Sequence, residues 1–427
     1  MVTFLTRRAA LRAVGGATAL LVAGLPARAT AVEDRFIVDT CSCSSEELAG
    51  LRVVHDLPAI GLQVVRGPRP DVRCSRDVAF GIDLPLRSHE ATHVEAPLLD
   101  FQWDRQYIPV AEAHAITDGS GARVAVIDTG IDGTHPALTH AVNTELSKNF
   151  TEDGGDYTDI GFHGTHVSGI IAAAPGDAGL VGMAPGVDLV ACRVFSAASA
   201  LFGDVIAAMV YAAEIDADAA NLSLGAYPLP LDDPEVQLLR EAVDRAVAFG
   251  EEQGTVYVAA AGNDGANLDA DGEVISLPNE AENVLSVSAT GPIGYRWDDE
   301  PDEDDPLNRL EQEPSEIAFY SNFGEDAIDV SAPGGNADRS AIGTDAAWYL
   351  DLVLSTVPGG YGWAAGTSMA APQVAGTVAL VRSLAPTASA RAVREHLRET
   401  ARGMGQAEFH GAGHLDPVRA VEDAADI

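Results

Sequence analysis

From about residue 120 the chain alternates short apolar runs with longer helical patterns. The runs are RVAVIDTG, VDLVACRVF, ANLSLG, TVYVAAAGN and NVLSVSATG. Helical candidates begin at His163, at Gly203 and near Pro234, and two more run from Ser368 to Leu384 and from Ser389 to Ala401. Short apolar strands alternating with helices predict βαβ units, hence an α/β fold: a doubly wound, mostly parallel sheet with helices on both faces. Residues 297–305, WDDEPDEDD, break the rhythm, and so many like charges predict an exposed loop insertion. Residues 32 to about 100 differ in character. Two strand-like runs, RFIVDT and LPAIGLQVVRG, separated by prolines and polar spacers, suggest a small separate module.

The N-terminus reads as an address. Arg7 and Arg8 precede an apolar stretch from Ala13 to Leu25 and the small-residue sites ARA and ATA, so residues 1–31 form an export signal that resembles the Tat type. The stretch is too short for a membrane helix, and no later segment qualifies, so no stable membrane anchor is expected.

Composition changes the picture in two ways. The 427 residues and 47% hydrophobic content can fill a sizeable core, and a formal charge of -38 argues against a nucleic-acid partner. Of 26 basic residues only Lys148 is a lysine, while acidic residues spread along the whole length. A heavily solvated anionic surface of this kind predicts adaptation to high salt, which screens its self-repulsion. The four cysteines supply no framework: Cys41, Cys43 and Cys74 lie early, and Cys192 sits in a strand as a small core hydrophobe.

In open parallel sheets, functional groups gather at the carboxyl ends of strands. Asp128 ends a strand in VAVIDTGIDGTHP, His163 opens a helix in FHGTHVSGIIAA, and Ser368 opens another in GTSMAAPQVAG. A carboxylate, an imidazole and a hydroxyl at one sheet edge are the parts of a serine nucleophile: the imidazole removes the hydroxyl proton, and the carboxylate orients the ring. Each has a plainer reading. Asp128 could close a turn, Ser368 could cap its helix, and His166 competes with His163.

Together the motifs closely resemble the subtilisin-like serine proteases, the subtilase family. DTGID, HGTHVSG and GTSMAAP match its three motifs in order, and AAAGND adds Asn263 at the family's oxyanion-stabilising position. The resemblance covers about residues 100–427, selects His163 over His166, and implies a serine endopeptidase acting through Asp128, His163, Ser368 and Asn263. It further implies that substrate pairs with Ser223, Leu224 and Gly225, and that its main side chain enters a pocket beside Ala260 and Gly262 with Ser276 near the floor. With no charged residue in these stretches, uncharged side chains are expected.

Asp132 and His135 fall in familiar subtilase positions but read as structural, and Phe162, larger than usual before the histidine, is expected to narrow the cleft. The salt-adapted composition gives the chain the look of a haloarchaeal secreted member, halolysin-like. Residues 32–100 resemble the inhibitory prosegment, a small α+β unit, with 101–427 as the catalytic domain and a mature chain beginning near residues 88–104. The expected partners are protein or peptide substrates and the chain's own prosegment, on a secreted monomer. No cofactor is required for the chemistry, and structural calcium is implied without assignable ligands. The alternative is a catalytically inactive subtilase-fold binding protein. All four site residues are present against that alternative, and no G-x-S-x-G elbow, the mark of an esterase, surrounds Ser368.

Overall fold

The computed structural model describes residues 29–44, 46–91, 97–176, 178–297, 307 and 310–427. The export signal up to residue 28 and the acidic insertion from residue 298 lie outside the described residues. Seven parallel strands form the central sheet, in the spatial order Val330–Pro333, Leu285–Thr290, Val256–Ala260, Ala219–Leu222, Arg123–Asp128, Asp188–Arg193 and Lys148–Asn149. The five predicted runs are all there. The chain winds from Arg123–Asp128 first toward one edge and later, from Ala219–Leu222, toward the other. The switch point therefore lies between these two strands, where an α/β sheet opens a crevice at its carboxyl edge.

Side-chain alternation along each strand divides the core. Val124 and Val126 pack on one face with Val167, Ile170, Met369 and Val374. Ala125 and Ile127 pack on the other with Val205, Met209, Leu239 and Val243. The first face carries the helices His163–Ala172 and Thr367–Leu384, whose small residues let them sink into the core: all ten residues of the former are buried. The second face carries Phe202–Glu214 and Pro234–Gln253. Pro234–Gln253 starts at Asp233, which accepts from the Glu235 N–H at 2.8 Å, and stops at Gly254 in the left-handed region, φ 99°. Cys192 is fully buried and burial pushes its thiol up to about 12, as its reading as a core residue requires.

The early module does not stand apart. Its strands, in the order Arg52–Leu57, Leu62–Arg66, Thr30–Asp39 and Cys74–Gly81, pair antiparallel and continue into Ser199–Leu201 and Phe195–Ser196 as one six-stranded sheet. Ile37, Leu57, Leu62, Val64 and Phe80 pack against the two helices of the second face. The expected helical component reduces, among the described residues 29–91, to the 3-10 turns Thr40–Ser42 and Pro58–Ile60. Apolar burial against existing helices serves where a helix of its own was anticipated.

All six arginines between residues 29 and 83 reach acidic residues of the larger body. Arg35, Arg52 and Arg66 meet Glu152, and Arg35 also meets Asp204. Arg69 and Arg76 meet Glu235 at 2.7 Å each, and Arg73 meets Glu241 at 2.7 Å. Among the described residues no helix is long and apolar enough to cross a membrane.

Candidate active site

Asp128 and His163 meet through two chain segments that pass unusually close. The strand ends at Asp128 and turns at Gly130, φ 106°, where a Cβ would stand 2.4 Å from the Tyr157 carbonyl oxygen. The helix carrying His163 crosses this turn at Gly164, where a Cβ would stand 2.1 Å from the Gly130 oxygen. That approach brings His163 Nδ1 to 2.9 Å from both carboxylate oxygens of Asp128, with both residues buried. The N–H of Thr129 donates to Asp128 Oδ1 at 2.7 Å, so the carboxylate cannot swing away. His163 Nε2 is buried without a hydrogen-bond partner.

Asp159, a residue sequence reasoning missed, anchors the helix start. It accepts from Thr165 N at 2.9 Å and from Thr129 Oγ1 at 2.8 Å, while Thr129 Oγ1 in turn accepts from Gly164 N at 2.8 Å. The carboxylate thus ties the Asp128 turn to the His163 helix. His166, the competing histidine, points elsewhere: its Nε2 lies 3.1 Å from the Gly362 carbonyl. Burial first, then the neighbouring His163, pushes it down to about 3, so it stays neutral. Asp132 and His135 make turn and backbone contacts, Thr134 N to Asp132 Oδ1 at 3.0 Å and His135 Nε2 to Gly360 O at 2.9 Å. Phe162 lies under the Arg87 guanidinium, 3.7 Å from the ring centroid.

Ser368 is not a helix cap. Gly366 occupies the N-cap position, Ser368 is the second helical residue, and its hydroxyl donates outward to the Ser223 carbonyl at 3.2 Å. Pro372 lacks the N–H that would bond to the Ser368 carbonyl four residues back. That carbonyl instead accepts from Ser223 Oγ at 2.8 Å.

Asn263 is fixed by Thr367, another residue the sequence reading did not single out. Thr367 N and Oγ1 donate to Asn263 Oδ1 at 2.9 and 3.0 Å, which aims the amide N–H outward. Its Nδ2 donates to the backbone carbonyl of Asp83 at 2.9 Å. Ser223, Leu224, Gly225, Ala260, Gly262 and Ser276 line one pocket together with Asn263, Thr367 and Ser368. The pocket differs from expectation in charge. Asp264, just beyond the AAAG stretch, lines it, and Asp83 of the early module enters it. Among the described residues no group of three or more His, Cys, Asp or Glu side chains is disposed to hold a metal ion.

The Asp128 and His163 side chains meet directly, whereas the Ser368 hydroxyl meets the Ser223 carbonyl and the Asn263 amide meets the Asp83 carbonyl. A carboxylate–imidazole pair and a helix-start serine on one doubly wound sheet are the parts that a serine hydrolase uses. Residues 119–414 match the family model described as "Subtilase family", and the chain belongs to that family. It is similar to M-protease of Shouchella clausii (strain KSM-K16), 32% identical over 389 residues, covering 90% of this chain and 85% of the relative. Subtilisin Savinase of Lederbergia lenta is 33% identical over 319 residues, 74% of this chain and 96% of the relative. These relatives are bacterial. Among solved structures, the epidermin leader peptide processing serine protease of Staphylococcus aureus superposes with a TM-score of 0.73 over 92% of this chain and 99% of its own, at 23% identity, a likeness of fold. A lanthipeptide protease superposes with a TM-score of 0.63 at 27% identity over 76% of this chain and 95% of its own. The chain is a subtilisin-type serine protease.

Proposed function

We propose that the protein is an exported, salt-adapted serine endopeptidase, made with residues 32 to about 100 as an inhibitory prosegment, in which Asp128, His163 and Ser368 form the catalytic triad. The observation that carries this reading is His163 Nδ1 at 2.9 Å from both Asp128 oxygens, with the other ring nitrogen unpartnered. With Nδ1 donating to the carboxylate, Nε2 holds the lone pair that takes the Ser368 proton. Ser368 Oγ attacks the scissile carbonyl, and the developing negative oxygen is met by Asn263 Nδ2 and by the Ser368 backbone N–H at a helix N-terminus. His163 then protonates the leaving amine, and a water activated by the same ring releases the acyl group.

Export rests on the basic start, apolar stretch and small-residue sites of residues 1–31; salt adaptation rests on the charge of -38 with one lysine. The test compares wild type and Ser368→Ala on a casein-like substrate in molar salt. Hydrolysis by the wild type and none by a folded variant supports the reading. If the folded wild type hydrolyses nothing, the inactive binding protein takes its place.

A further inference from the structure

Three observations place one peptide bond of this chain where a substrate would lie. The Asp83 carbonyl oxygen accepts from Asn263 Nδ2 at 2.9 Å, and Asp83 shares its pocket with Ser368. Immediately beyond, Leu84 and Pro85 lie over the start of the Ser368 helix: a Cβ on Gly366 would stand 3.6 Å from Leu84 Cδ1 and 3.4 Å from Pro85 Cδ. The strand Leu86–Ala91 then runs antiparallel to Gly360–Ala365, with Leu86 opposite Ala365 and Arg87 opposite Ala364. The chain crosses the cleft without a break, held on both sides.

We propose that Asp83–Leu84 is the bond this protein cuts in itself, and that the cut is slowed when the Asp83 side chain and Asp264 are both ionised in the same pocket. The inference rests on the proposed role of Ser368. Ser368 Oγ bonds to the Asp83 carbonyl carbon, its proton passes to His163 Nε2 and then to the Leu84 nitrogen, and the carbon–nitrogen bond breaks. Water then divides the acyl-enzyme, leaving an Asp83 α-carboxylate and restoring the Ser368 hydroxyl. The bond lies upstream of the 88–104 window suggested by sequence, because the cleft is reached by the end of the Cys74–Gly81 strand.

The pH dependence follows from what surrounds the side chain. Asp264 lines the pocket from the loop after Val256–Ala260, Tyr227 from Ala226–Pro230, and Ser276 from Val274–Leu277; the Ser368 helix contributes no charge there. Glu280 stands behind Ser276, accepting from its N–H at 2.6 Å, and Asp271 stands beside Tyr227. None of the lining residues is Lys or Arg. Burial first, then Asp264, pushes the Asp83 carboxyl up to about 6, against the pull of Asn263. A carboxyl raised on docking seats best while protonated, and the seat weakens as pH rises through about 6.

The experiment follows the full chain in molar salt by intact-mass spectrometry, from Ser368→Ala, which should stay whole, to wild type. The first wild-type product should begin at Leu84. A first new N-terminus elsewhere, from an enzyme that hydrolyses casein, overturns this inference while leaving the proposed function standing. Failure to hydrolyse casein at all overturns both. For the charge, the self-cleavage rate is divided by the mature enzyme's casein rate at each pH, which removes any pH dependence common to both reactions. Asp83→Asn should raise that ratio about tenfold at pH 8 and little at pH 5; an equal ratio for variant and wild type at pH 8 overturns the charge effect.

Discussion

Ser223 and Ser368 hold each other at both ends, hydroxyl of each to carbonyl of the other, at 2.8 and 3.2 Å. The clasp ties the edge of the parallel sheet to the start of the helix that carries the nucleophile, and Pro372 makes it possible by leaving the Ser368 carbonyl free.

Ser223→Ala removes the donor and leaves a buried carbonyl unpaired, which costs about 1–3 kcal/mol of stability. Loss of positioning worth about 1 kcal/mol should lower kcat on the order of fivefold with KM nearly unchanged. Denaturant unfolding and steady-state kinetics in molar salt check both, and a variant unchanged in both would remove the clasp from the account.

Asn263→Ala should lower kcat by about 100- to 1,000-fold in a folded protein, the size of loss a subtilisin suffers when one oxyanion donor is removed. Thr367→Val withdraws the hydroxyl that holds Asn263 Oδ1 but keeps the backbone N–H bond, so its loss should be smaller. A Thr367→Val loss as large as that of Asn263→Ala would contradict this division.

Salt should act on two features in opposite directions. Screening of a net charge of -38 should raise the Tm of the whole chain from dilute buffer into the molar range. The same screening weakens the exposed arginine pairs of the early module, each worth about 0–1 kcal/mol. The buried Arg35 pairs with Asp77 and Asp204 respond less, and Arg35→Ala should cost about 3–5 kcal/mol by stranding those carboxylates. After self-cleavage, the two pieces should co-elute at low salt and separate more readily at high salt. Co-elution independent of salt would mean that the apolar contacts of Ile37, Leu62 and Phe80 alone hold the module.

Asp351 carries a pH prediction. Burial pushes its carboxyl up to about 8, opposed by the backbone N–H groups of Tyr295 and Gly294. Because the folded state binds this proton more tightly, the stabilisation is complete below about pH 4 and is lost as pH rises through about 8. Asp351→Asn holds the group neutral, so the variant's Tm relative to wild type should rise between pH 5 and pH 8. An equal difference at the two pH values would contradict it.

The parallel sheet was legible because its strands are buried on both faces and read as unbroken apolar runs, and Asp128, His163 and Ser368 stand at the junctions such runs define. Lys148–Asn149 and Val330–Pro333 escaped because strands of two and four residues have no period to read. Arg52–Leu57 escaped because it is largely exposed, with only Leu57 buried, and Arg52, His55 and Asp56 leave no apolar alternation to read. The placement of Asp83 had no local signal at all. It results from docking a whole module, whereas Asp264, the pocket's other carboxylate, directly follows Asn263 in the AAAGND motif. Ser368 looked like a cap because serine and an apolar run suit one, yet Gly366 already occupies that position.

The central claim is that Ser368 is a nucleophile activated by His163. The most direct measurement treats the self-processed protein, in molar salt, with an organophosphorus fluoride that phosphonylates activated serines, and maps the adduct by peptide mass spectrometry. The account predicts one adduct, on Ser368, lost in folded His163→Ala and reduced in folded Asp128→Asn. A folded wild type that takes up no label, or takes it up at another serine with Ser368 unmodified, would contradict the account.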